Sequence, residues 1–179
     1  MNVGRRPARW ASAIRRHGLP SLLAVFLLAV APGAARPETL TVPAPGPKDT
    51  CPVCGMFVGL YPDWIATVVY EDGHNHHFDG VKDLFKYLLD RAKYAPGHER
   101  AAIAAIAVTD YYSVTRIDAW GAWYVIGSDV LGPMGHELVP LASQAEAEEF
   151  RRDHSGKRVL RFNDITPALL KNLDHGTFE

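Results

Sequence analysis

Residues 64–73, WIATVVYEDG, gather β-branched and aromatic side chains into a short run that closes on Asp72-Gly73, a pair suited to the tight turn of a β-hairpin. HNHHF (74–78) is the returning strand, and its alternation sets His74 and His76 on one face and His77 on the other. The apolar spacing then changes. Val81, Leu84, Phe85, Leu88 and Leu89 fall at i, i+3, i+4, i+7 and i+8, which predicts a helix with Asp79 as its cap. AAIAAIAVTD (101–110) predicts a third strand, with a helix as the alternative that its alanines leave open.

The order then recurs. WYVIGSDV (123–130) reads as a strand, GPMG as a turn and HELVPLA (136–142) as the returning strand. Ser143 and Glu146 stand in capping-box spacing ahead of a helix that ends at Gly156. KRVLRF (157–162) is a last strand, and Thr166-Pro167 opens a short terminal helix. Both halves therefore read β-β-α-β. The expected fold class is α+β, with two similar ββαβ units over 49–110 and 111–179 forming one compact domain. Residues 36–48, rich in proline and poor in large apolar side chains, are an extended linker outside the core.

The first 35 residues follow another logic. Five arginines and no acid precede LLAVFLLAV (22–30), and PGAA follows, which is the layout of a signal peptide cleaved near Ala35. The apolar run is shorter than the roughly 20 residues of a membrane-spanning helix, so an uncleaved tether is the weaker alternative. Two arginine pairs invite a twin-arginine reading, but neither continues in the required manner, which favours ordinary export. The chain carries 19 Lys+Arg and 20 Asp+Glu; without the leader, 14 basic side chains face 20 acidic ones, a net charge of −6. An acidic exported domain excludes nucleic acid and anionic membrane as main partners, since both reward basic patches.

The only two cysteines stand in CPVCGM (51–56). Three chemistries compete for them. A thioredoxin-type dithiol requires a helix N-terminus to lower a thiol pKa, yet this pair follows a proline-rich linker. Structural zinc requires four ligands, and no second Cys-x-x-Cys exists; His74, His76 or His77 would have to complete the set. A soft-metal site for Cu(I) accepts thiolate and thioether at low coordination number. Met56 lies two residues after Cys54, and Met134 lies in GPMG; beyond the leader these are the only methionines, both among Gly and Pro. Core filling is the ordinary role of methionine, but this placement tilts the pair toward ligation. His136, two residues beyond Met134, is the histidine best placed to join them, against the alternative of an ordinary strand residue.

Three blocks, DTCPVCGMFV, FDGVKDLFKYL and YVIGSDVLGPMGHELVPLAS with AEEF after it, resemble the NosL family of copper chaperones from about Asp49 to Ile165. The resemblance implies Cu(I) as cargo. It implies Cys51, Cys54, Met56, Met134 and, less securely, His136 as metal ligands, with no catalytic residue. It also implies nitrous oxide reductase as the foremost copper-accepting cuproenzyme, with a copper donor upstream. One departure stands out: family members commonly carry a lipid-bearing cysteine at the end of the signal sequence, and none lies there in this chain. The expectation is a periplasmic chaperone without a lipid anchor at that point. A thiol-disulfide oxidoreductase using Cys51 and Cys54 is the alternative from another class, and a structural zinc or disulfide module is the third.

Overall fold

The Asp72-Gly73 turn brings β1 (Ala66–Tyr70) and β2 (Asn75–Phe78) together as an antiparallel pair, Ala66 opposite Phe78 and Val69 opposite Asn75. Gly73 supplies the φ of +87° at the turn, a conformation that side chains with a Cβ rarely adopt. This is a computed structural model; it describes Met1 and residues 39–98 and 101–179, so the expected signal peptide lies outside the described residues. Among these, no helix is long and apolar enough to cross a membrane. Residues 39–50 contain no buried position. Thr39 bridges to Ile117, and the Leu40 N–H donates to the Arg116 carbonyl at 2.8 Å, which pins the start of this stretch.

The alanine-rich run is a strand. β3 (Ile103–Thr109) pairs with the open edge of β1, burying Ile106 and Val108. A further strand that the apolar pattern did not predict, β4 (Arg116–Asp118), pairs with β3 and completes the order β2-β1-β3-β4. Three residues are too few to display an alternation. Helix α1 (Val81–Leu89) follows β2 as expected, and a single turn, α2 (Arg91–Tyr94), follows α1. The apolar face of α1 differs from its prediction at one end, because Leu89 is exposed and Tyr87 is buried.

In the second half, β5 (Trp123–Ile126) lies between β8 (Val139–Leu141) and β9 (Arg158–Arg161), giving the order β8-β5-β9. The predicted returning strand is split. β6 (Leu131–Gly132) and β7 (Gly135–His136) form their own two-stranded ribbon around Pro133 and Met134, and only Val139–Leu141 return to β5. Pro140 is tolerated because β8 is an edge strand, where a missing N–H costs no ladder bond. Helix α3 (Gln144–Asp153) starts at Ser143, whose Oγ accepts from the Glu146 N–H at 3.2 Å. Helix α4 (Pro167–Asp174) starts at Thr166.

In both the four-stranded and the three-stranded sheet, the strand earliest in sequence lies between the next two, with a helix before the last of the three: β1, β2, α1, β3 in one and β5, β8, α3, β9 in the other. The sheets do not have separate interiors. Val68, Tyr70, Phe78, Leu84 and Phe85 share one core with Tyr124, Ile126, Leu160 and Leu173. The opposite face of β5 presents Val125 to a smaller cluster with Val139, Leu141, Ala147 and Phe150 beneath α3. The fold is α+β.

Candidate metal centre

Cys51 and Cys54 flank a tight turn. The Gly55 N–H donates to the Cys51 carbonyl at 2.8 Å, the Cys51 N–H donates to the Met56 carbonyl at 2.9 Å, and Thr50 bridges to Phe57 across the base. Gly55 sits at φ +80°, so the turn depends on glycine there. The loop thus presents two sulfurs from one side. Cys51 is buried and Cys54 half-buried; neither is in a disulfide.

The opposite side of the site comes from the start of α1. Asp79 precedes the helix and Asp83 lies in its first turn, and both carboxylates reach the thiols. The Cys54 thiol donates to Asp79 Oδ1 at 3.2 Å and the Cys51 thiol to Asp83 Oδ2 at 3.4 Å. One ligand atom from each of these four residues lies within 4.8 Å of the others. Asp79 is therefore not the helix cap that the sequence predicted. Gly80 occupies that position without a side-chain cap, while the Glu137 carboxylate, reaching in from beyond β7, accepts the N–H of Lys82. Asp79 Oδ2 is buried without a hydrogen-bond partner, a costly state that an ion or proton in the site would relieve.

Burial dominates the thiol chemistry. It pushes the Cys51 thiol far above the ordinary range, against backbone N–H groups of Cys54 and Val53 that favour the thiolate; the nearby Asp79 and Asp83 add to the rise. Burial likewise pushes Cys54 up to about 11, opposed by the Met56 N–H and reinforced by the two aspartates. Without metal, both sulfurs hold their protons at neutral pH. Such thiols are poor nucleophiles, since the thiolate is the attacking form. A metal can still displace the protons and take two sulfurs whose geometry is already set.

Asp79 and Asp83 were missed as ligands by the sequence reading, since an acid just before a helix has the ordinary role of a cap. Of the predicted ligands, Cys51 and Cys54 come together and Met56 is half-buried in the same turn. Met134 is exposed at the tip of the β6–β7 ribbon, and its carbonyl accepts from Lys82 Nζ at 2.9 Å, which ties the ribbon to α1. His136 does not join the thiol cluster; its ring packs edge-on against Phe178, with centroids 4.9 Å apart, near the C-terminus. His77 faces away, with Nδ1 2.9 Å from Thr67 Oγ1, while His74 and His76 lie on the other face of β2 with Tyr70.

Fold and site together define a small α+β protein able to hold one metal ion between a cysteine turn and a helix start. The chain belongs to the NosL family, which its residues 43–170 match. It is 30% identical over 178 residues to the copper-binding lipoprotein NosL of Stutzerimonas stutzeri, covering 92% of this chain and 90% of that protein. The crystal structure of the copper chaperone NosL from Shewanella denitrificans is similar at a TM-score of 0.59 and 26% identity, covering 72% of this chain and 97% of that one.

Proposed function

We propose that this chain is a periplasmic Cu(I) chaperone that receives copper from a donor and passes it to a cuproenzyme, foremost nitrous oxide reductase. The observation that carries the reading is the pair of reduced thiols converging on one point at the start of α1. The copper-binding relatives support copper as the metal. Cys51 and Cys54 are the thiolate ligands in this reading. Met56, from the same turn, and Met134, from the ribbon, add thioethers that favour Cu(I) over zinc. As copper enters, the two thiol protons leave for solvent. His136 completes the set only if the ribbon shifts. Met134, exposed, is the ligand that a client most easily replaces.

The raised thiol pKa values weigh against the oxidoreductase alternative. Two carboxylates suit zinc better than Cu(I), so zinc is the reading that must be excluded by measurement. Anaerobic titration of the reduced protein against a chelator should give one Cu(I) per chain and a clear preference for Cu(I) over Zn(II); equal preference would overturn the proposal. In the same assay, Met134→Leu should weaken Cu(I) binding about tenfold, or ~1.4 kcal/mol. Its effect on folding should stay below about 1.5 kcal/mol, because size and apolarity are kept. Unchanged affinity would remove Met134 from the ligand set.

The affinity should also fall with pH, because protons compete with copper for both sulfurs. If both leave for solvent, the apparent binding constant changes by up to about a hundredfold per pH unit below the raised thiol pKa values. A chelator competition between pH 6 and 9 reads this slope. A flat profile would show that no thiol proton is released and would overturn the thiolate ligand set.

A further inference from the structure

We propose a second metal site at the tip of the β1–β2 hairpin, held by His74 and His98 with Asp72 orienting His74, and suited to a borderline divalent ion such as Cu(II) or Zn(II). Each of the three brings one ligand atom within 4.8 Å of the other two, and none belongs to the thiol cluster. The donors are imidazole nitrogens without sulfur, a set that fits Cu(II) or Zn(II).

The hairpin turn builds the site. Asp72 Oδ1 accepts the His74 N–H at 3.1 Å and lies 2.5 Å from His74 Nδ1. A proton held on Nδ1 by this carboxylate leaves Nε2 with a free lone pair, the arrangement in which a carboxylate orients a ligating histidine. His74 Nε2 is inaccessible to solvent and yet has no hydrogen-bond partner. That is the cost a metal ion would remove.

The rings are held in place. His74 stacks on Tyr70 with centroids 4.1 Å apart and planes at 8°, and the His98 ring lies 4.7 Å from it. His98 is exposed, but its backbone is fixed: its N–H donates to the Ala95 carbonyl at 2.9 Å, and Arg91 Nη2 donates to its carbonyl at 2.7 Å. The nearby Arg91 guanidinium is engaged with the carbonyls of His98 and Ala101. Asp72 offsets its charge. His76, with its ring 5.5 Å from His74, stands beside the cluster.

The test uses the full, tag-free chain with Cys51→Ala and Cys54→Ala, so its failure leaves the thiol site unaffected. Titration with Cu(II), followed by electron paramagnetic resonance and calorimetry, should give one ion per chain with nitrogen coupling. Adding His98→Ala should weaken binding at least tenfold, and Asp72→Asn about tenfold. His175→Ala, at an exposed histidine elsewhere, should change nothing. No binding, or equal loss in the His98 and His175 variants, would overturn the proposal. If the cysteine-free chain does not fold, imidazole NMR of the unsubstituted chain with Zn(II) decides it: His74 and His98 should shift together, and perturbation of neither refutes the site.

Discussion

Cys54→Ser should lower Cu(I) affinity on the order of a thousandfold, ~4 kcal/mol, while moving the unfolding midpoint little. Serine keeps the shape, and its hydroxyl can still donate to Asp79 Oδ1, which the thiol now contacts at 3.2 Å. What it cannot do is lose a proton at neutral pH and become a soft anionic ligand. Cys51→Ser should lower the affinity as much but also destabilise the fold, because Cys51 is 1% exposed and packs in the main core. Serine places a more polar group there. Chelator competition and urea unfolding on both variants separate the two effects. A Cys54→Ser protein that kept its copper affinity would sink the thiolate site.

Glu137 carries the second large effect. One of its oxygens accepts the N–H groups of Lys82 and Leu138, so it closes the start of α1 from 55 residues away in sequence. Glu137→Ala leaves both donors unpaired and opens a space beneath them, at an expected cost of roughly 3 kcal/mol. The helix start and Lys82 favour the ionised carboxylate, but burial wins and pushes Glu137 up to about 8. In the unfolded chain it ionises near 4.3. Between those values the native state keeps a proton that the unfolded state has lost, so this contribution to stability is full below about pH 4.3 and declines as pH rises to 8. Glu137→Gln removes the titration. Relative to the parent, it should gain by several kcal/mol between pH 4 and 8, as read by urea unfolding across that range. A constant difference would show that Glu137 does not titrate there.

Much of the fold was legible because local pattern and tertiary demand agreed. The Asp72-Gly73 hairpin, the spacing of α1, the cap at Ser143 and the start at Thr166-Pro167 each need only neighbouring residues. The errors fall where distant contacts override a local rule. Asp79 has the right residue type and place for a helix cap, but a cysteine 25 residues earlier engages it and Glu137 does the capping. HELVPLA reads as one returning strand, yet the buried Glu137 and Leu138 interrupt it. For the site, the Cys-x-x-Cys pair was visible as spacing; the two aspartates were not, since only the fold brings them across 25 and 32 residues to the sulfurs. His136 looked close to Met134 in sequence, but its ring faces Phe178.

The start of α1 also restricts how this gene can change length. Within five residues, Asp79 meets Cys54, a Cβ on Gly80 would collide with Glu137, Lys82 reaches Met134 and Asp174, and Asp83 meets Cys51. One codon inserted there would rotate every later side chain of the helix by about 100° and would break contacts with three separate stretches of chain at once. Insertions and deletions should therefore be purged from this turn across descendants, while partner positions drift only in concert with it.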